Sequence, residues 1–263
     1  MPETAAGTSG GGRVTWIGHS TVLVELDGVR LLTDPLLRER VAHLRRAPPL
    51  DEAPAGIDAV LISHAHHDHL DPASLARLGR DQRIVVPRGT GLLPLRWRRL
   101  RRIEQVGPGE EIQVGAVAVR ATCAAHPGQR FGPLAPPWRR GEPTGALGYV
   151  VIGRRRVYFA GDTDLFPGMA DLAPGLDLAL LPVWGWGPRV GPGHLDPQRA
   201  AEALRMLRPR LAIPIHWGTL GVVWRATTRG KAAEPARAFQ RHAAELAPEV
   251  EVRILEPGAS TSF

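Results

Sequence analysis

The chain has 263 residues, with 33 lysines and arginines against 26 aspartates and glutamates and a formal charge of +7. That length is enough to bury a sizeable core, and no apolar run approaches the ~18–20 residues of a membrane-crossing helix. A single cysteine, Cys123, excludes an internal disulfide and argues against thiolate metal sites.

The pI of 10.9 raises nucleic acid or anionic lipid as a partner. However, Lys231 is the only lysine, and glycine and proline number 30 and 25. The arginine excess is therefore read first as a compositional bias, and no nucleic-acid partner is expected. Residues 1–13 have no basic start followed by an apolar block. They read as a disordered leader rather than a signal peptide, which makes a cytoplasmic location the expectation.

From residue 14 onward, "RVTWIGHS", "TVLVELDG" and "VRLLTDP" predict consecutive strands, with Asp27-Gly28 as a hairpin turn. "DAVLISH" is a short buried strand. "DPASLARLG" follows as a helix, with Asp71 as N-cap, Pro72 at the first position and Gly79 as the stop. "QRIVVP" is the next strand. In "LRWRRLRR", Leu95 to Arg102, helical spacing spreads the arginines over more than one face, and Trp97 can meet a membrane surface or a partner. A peripheral membrane contact is thus one expectation and a solvated helix end the other.

"EEIQVGAVAVRATCAAH" and "GALGYVVIGRRRVYFAGD" are strand-rich, and the proline-rich "PGQRFGPLAPPWRRGEP" between them is too long for a turn. It reads as a functional loop over a site. "LDLALLPV" and "LAIPIH" are strands, and "VEVRILEP" is expected as the last one. "DPQRAAEALRMLRP" is a helix capped by Asp196, and "EPARAFQRHAAELAP" is an amphipathic helix. No linker divides residues 14–263, so one domain of mixed α and β type is expected. His64, His126, Asp162 and His216 each stand at a strand end, where sites in layered α/β folds gather.

The densest motif is "LISHAHHDHLDP", which contains H-x-H-x-D-H over His64, His66, Asp68 and His69. Residues two apart on extended chain project to one side, so His64 and His66 can grip one ion. Asp68 and His69 are adjacent and diverge as the chain turns into the helix, so one loop can serve two ions. Imidazole and carboxylate without sulfur suit Zn²⁺, Mn²⁺ or Fe²⁺. One loop cannot close two shells, and "AAHPGQ", "FAGDTD" and "IPIHWGT" offer His126, Asp162 and His216 to complete them.

With "HAHHDH", His126, "FAGDT" and "IHWGT" in that order, and "WIGHSTVLVELDGVRLLTDP" ahead of them, the chain resembles the metallo-β-lactamase superfamily. The resemblance runs from about Val14 to Thr219. It points to the branch of N-acylphosphatidylethanolamine-hydrolysing phospholipase D and ascorbate-6-phosphate lactonase; "IHWGT" with "GHLDP" leans to the first. The resemblance implies an α+β fold, a four-layer αββα sandwich with two metal ions, zinc by expectation, at one edge of its sheets. By motif position, His64, His66 and His126 hold the first ion, and Asp68, His69 and His216 the second. Asp162 bridges them. His67 is not a ligand in the family.

Two such cations about 3.5–4 Å apart would ionise a shared water to a hydroxide and polarise the substrate oxygen. Asp68 and His194 are the catalytic candidates; His194, in "GHLDP", would orient substrate or protonate a leaving group. His19 and Asp34, in "IGHS" and "LLTDP", would support the ligands from behind. Trp184 and Trp186, in "PVWGWGP", would wall the substrate site.

The expected activity is hydrolysis of a phosphodiester such as an N-acylphosphatidylethanolamine-like lipid. The alternative within the fold is a lactone or other carboxylic ester. The alternative from another class is a nuclease or nucleic-acid-binding protein using the arginines, against which stand the lack of a visible appended domain and the little aromatic interleaving. An iron-based oxygen-reducing role is disfavoured, because that branch carries Glu where His66 stands.

Overall fold

The computed structural model describes residues 11–50, 52–128, 145–172, 174–187, 189–222 and 232–263. The expected leader, residues 1–13, falls mostly outside them; Gly12 already pairs with the backbone of Phe263, and Arg13 opens the first strand. The proline-rich loop between the two central strand pairs also lies mainly outside the described residues.

In chain order the strands are β1 (Arg13–Gly18), β2 (Thr21–Leu26), β3 (Val29–Thr33), β4 (Arg40–Val41), β5 (Leu44–Arg46) and β6 (Ala59–Leu61). Helix α1 (Pro72–Arg77), β7 (Arg83–Pro87), helix α2 (Leu93–Trp97) and β8 (Arg102–Val106) complete the first half. The second half holds β9 (Glu111–Val114), β10 (Val117–Pro127), β11 (Gly145–Ile152), β12 (Arg156–Phe159) and β13 (Leu178–Pro182). It continues with α3 (Pro197–Leu207), β14 (Leu211–Ile215), β15 (Leu220–Val222), α4 (Glu234–Leu246), β16 (Glu251–Val252) and β17 (Ser260–Ser262).

Two seven-stranded sheets result, ordered β17-β1-β2-β3-β6-β7-β8 and β16-β14-β13-β12-β11-β10-β9. Each joins an antiparallel set to a parallel one: the pairing turns parallel at β3–β6 in the first sheet and at β12–β13 in the second. The result is two mixed sheets flanked by helices, the αββα arrangement expected from the sequence.

Alternation along the strands builds the layers. Val22, Val24, Leu31, Leu61 and Val85 face the second sheet across the main core. Their neighbours Leu23, Leu32, Val60, Ile84 and Val86 face outward and pack with Leu75 of α1 and Leu95 of α2. On the far side, Ala200 and Leu204 of α3 and Phe239 and Ala243 of α4 join the main core. The N-caps match expectation: the Asp71 side chain accepts from Ser74 N, and Asp196 accepts from Arg199 N.

Three features depart from the expected elements. The stretch taken as the last strand pairs only at Glu251–Val252, and the closing strand is β17, antiparallel to β1. Its residues, Ser-Thr-Ser, carry no apolar alternation, so nothing local marks them. The hairpin β4–β5 joins β15 in a small third sheet. The helices of the first half are short, six and five residues, against eleven and thirteen in the second.

The small sheet places Arg46, which is 3% exposed, behind the strand ends. Its guanidinium donates to the carbonyls of Leu36 and Ile17, and no carboxylate pairs with it among the described residues. A Cβ at Gly18 would lie 2.9 Å from its Nη2, and Gly18 sits at φ +134°, so glycine is needed there on both counts.

Candidate metal centre

Strand ends deliver the donors. Ile62 N bonds Val85 O at the end of β6, and the chain then turns through His64 to His69 before Asp71 caps α1. His126 lies at the end of β10, Asp162 just after β12 and His216 just after β14. The approach of Asp162 depends on Gly161: it has φ +61°, and a Cβ there would come within 2.5 Å of Ser63 Cβ. His19, Asp34 and His216 also hold positive φ, at 54°, 33° and 63°. Such backbone is costly for non-glycine residues and clusters at functional sites.

All seven sequence-predicted ligands converge. His64 Nε2 lies 2.9 Å from His66 Nδ1, which lies 3.2 Å from His126 Nε2. His69 Nε2 is 3.2 Å from His216 Nε2, 3.2 Å from Asp162 Oδ2 and 3.6 Å from Asp68 Oδ2. His216 Nε2 is 3.2 Å from Asp162 Oδ1. Asp162 stands between the two groups, with Oδ2 3.9 Å from His64 Nε2.

The outward ring nitrogens explain why these atoms point inward. His126 Nδ1 donates to Gly193 O at 2.8 Å, His216 Nδ1 to Trp184 O at 2.6 Å and His69 Nδ1 to Asp34 Oδ2 at 2.7 Å. Ser63 Oγ donates its proton to Asp34 Oδ2 at 2.5 Å, so it accepts from His64 Nδ1 at 2.9 Å. Four Nε2 lone pairs are thereby left facing the interior, a feature of metal-bound imidazoles.

Whether the donors suit metal ions can be tested on this geometry. A tetrahedral zinc shell with bonds of about 2.0–2.1 Å separates neighbouring donors by about 3.3 Å. The observed spacings of 2.9–3.2 Å within the first group and 3.2–3.6 Å around His69 bracket that value. Asp162 Oδ1 is buried and makes no hydrogen bond, an unusual state for a buried carboxylate unless a cation meets it. The residues fit two ions.

The electrostatics agree. Burial pushes the pKa of His64 well down, that of His66 to about 4 and that of His216 to about 3, so these rings are neutral donors. Burial also works against charge on Asp68 and Asp162, but the surrounding imidazoles outweigh it and hold both carboxyls well below the usual range. His69 is pushed down by burial and pulled up further by Asp162, Asp68 and Asp34. The anionic field that draws a proton onto His69 is the field a cation answers.

His19 and Asp34 both contact residues of the donor cluster. His19 Nε2 donates to Asp68 Oδ2 at 3.1 Å, and its ring lies 3.9 Å from that of His216. Asp34 is fully buried and accepts from Ser63 N, Ser63 Oγ and His69 Nδ1. His194 Nε2 is 3.3 Å from Asp162 Oδ2, and its ring packs against that of His126.

A cavity of about 730 Å³ opens over these groups, lined by Asp68, Asp162, His194, Trp184, Trp186 and Arg189 among others. Both tryptophans are therefore at the cavity wall. Trp186 does more than was expected of it: its Nε1 donates to Asp68 Oδ2 at 3.1 Å, tying the wall to a ligand. His43, in the β4–β5 turn, lines the same cavity and meets Trp186 edge-on at 5.0 Å. Neither His43 nor Arg189 carried any local signal in the sequence; only the small third sheet and the loop before α3 bring them in. Behind the tryptophans lies a second, mainly apolar cavity of about 530 Å³, lined by Pro197, Leu220, Pro235 and Ala238 among others.

Comparison with known proteins gives one consistent family. Residues 29–217 match the family described as Beta-lactamase superfamily domain. A UPF0173 metal-dependent hydrolase of Methanopyrus kandleri is 32% identical over 260 residues, covering 94% of this chain and 98% of the relative. N-acyl-phosphatidylethanolamine-hydrolyzing phospholipase D 1 of Caenorhabditis elegans is 30% identical over 236 residues, covering 78% of this chain and 63% of the relative. Among solved structures, Igni18, a metallo hydrolase of Ignicoccus hospitalis, superposes with a TM-score of 0.67 at 23% identity over 97% of this chain and 99% of its own. At that identity the likeness speaks for the fold.

Proposed function

The chain belongs to the metallo-β-lactamase superfamily and is a metal-dependent hydrolase of that fold, and from this we propose that it cleaves a phosphodiester. The observation that carries the choice is the cavity lining. Its carboxylates, Asp68 and Asp162, are both in the metal cluster, while Arg189 and His43 also line it. A monoanionic diester meets a permanent cation there, which a neutral lactone or ester would leave unused. The similarity to a phospholipase D of C. elegans supports the same choice, and the apolar cavity behind the tryptophans suits hydrocarbon such as that of an N-acylphosphatidylethanolamine-like lipid.

His64, His66 and His126 would hold one ion, Asp68, His69 and His216 the other, and Asp162 would contact both. When bound, the pair supplies positive charge that acidifies water and polarises the scissile group, whether the metal is zinc, manganese or iron. Zinc is the proposed occupant, by affinity order over manganese and iron(II). Asp68 is held in one orientation by His19 and Trp186. His194 places Nε2 at the cavity, where it can deliver a proton to the leaving oxygen. Trp184 and Trp186 exclude water from one side and orient the apolar part of the substrate.

The test is turnover of a chromogenic phosphodiester, a lactone, a β-lactam and a simple carboxylic ester by the zinc-, manganese- and iron-loaded protein. Phosphodiester cleavage that is lost in His66→Ala and shows a raised KM in Arg189→Ala is the expected result. Turnover of the lactone or ester with none of the phosphodiester would reject the proposal.

A further inference from the structure

Among the described residues, two large apolar side chains away from the cavity are left in solvent, and both belong to α2. Leu93 is 57% exposed and Trp97 is 74% exposed. They are four residues apart, so they share one face of the helix. The opposite side anchors the element: Leu95 and Leu100 are buried in the outer core of the first sheet. The exposure of Leu93 and Trp97 is thus fixed by the packing of their neighbours.

Arginines adjoin the pair along the chain. Arg96, Arg98, Arg99 and Arg102 are exposed, and none pairs with a carboxylate among the described residues. The arginines nearby that do have partners are Arg83 with Glu104, Arg88 with Glu110 and Arg101 with Asp81. Residues 89–103 contain no aspartate or glutamate.

We propose that this face of α2, Leu93 and Trp97 together with the unpaired arginines adjoining them in the chain, seats the protein on an anionic phospholipid surface. An apolar pair with a tryptophan fits the boundary between headgroups and acyl chains, and the arginines fit the phosphates around it. A single-stranded nucleic acid would call for several stacking aromatics. Leu93 offers no stacking face, so the apolar half of the patch favours lipid. The inference does not depend on which substrate the metal centre hydrolyses.

The experiment is sedimentation of the full chain with vesicles of pure phosphatidylcholine and with vesicles that also contain phosphatidylglycerol. The protein is expected to sediment only with the anionic vesicles. Leu93→Ser with Trp97→Ser, and separately Arg98→Ala with Arg99→Ala, should each weaken binding by about tenfold or more. These side chains are exposed, so unchanged thermal unfolding checks the fold. In the unmodified protein, lipids brominated near the headgroup should quench part of the tryptophan fluorescence, and Trp97→Phe should abolish that part. No binding to anionic vesicles, or binding that ignores the Leu93 and Trp97 changes, overturns the proposal. So does RNA binding that depends on the arginines alone.

Discussion

At the residue scale, four imidazoles of the cluster, those of His64, His69, His126 and His216, are held from outside. Asp34 illustrates this: it is fully buried and lines neither cavity described above, yet it takes three hydrogen bonds and fixes His69 and, through Ser63, His64. Asp34→Asn keeps the shape but removes the charge and one acceptor. Metal affinity should fall about 10–100-fold, read by competition with a chromogenic chelator; unchanged affinity would deny Asp34 this role. His194 is the contrasting case. His194→Ala should retain both ions by elemental analysis while kcat falls about 10²–10⁴-fold. Loss of metal in that variant would make His194 a ligand instead of a proton donor. The residues that converge in this cluster were legible in the sequence by type and order. The hydrogen bond from Trp186 to Asp68 was not, because it joins residues 118 positions apart.

At the element scale, the turn from β6 into α1 carries four of the donors and must end in a fixed place. Asp71 fixes it by accepting from Ser74 N at 2.9 Å and Ser74 Oγ at 2.6 Å, and by a two-pronged contact with Arg38 at 2.8 and 2.9 Å. Asp71→Ala should destabilise the fold by about 1–3 kcal/mol, seen as a lower urea midpoint. A shift near zero would mean the cap is redundant. This cap was readable in advance, since Asp-Pro followed by an apolar period is a local signal. Strand β17 was not, since a Ser-Thr-Ser segment becomes a strand only because the edge of β1 offers it backbone partners.

At the scale of the whole molecule, the donors come from both sheets, so bound metal links the halves. His64, His66, Asp68 and His69 follow β6 of the first sheet, while His126, Asp162 and His216 belong to the second. Any ligand that binds only the folded state stabilises it, by about 4 kcal/mol when free ligand stands 1,000-fold above its Kd. Removing metal with a chelator should therefore lower the thermal midpoint, and restoring zinc should raise it again, both followed by calorimetry. An identical midpoint with and without chelator would contradict a centre shared between the sheets.

The sequence by itself determined the kind of site and most of the elements that carry it. Ligand chemistry is a property of residue type, and strand or helix periodicity, caps and turns are properties of neighbours along the chain. Only the tertiary structure decided which nitrogen of each histidine faces inward, that Trp186 braces Asp68, and that His43 and Arg189 enter the cavity. It also decided that Leu93 and Trp97 are left outside the core. Those outcomes depend on distances between segments far apart in the chain, and such distances are set by packing, which no local pattern encodes.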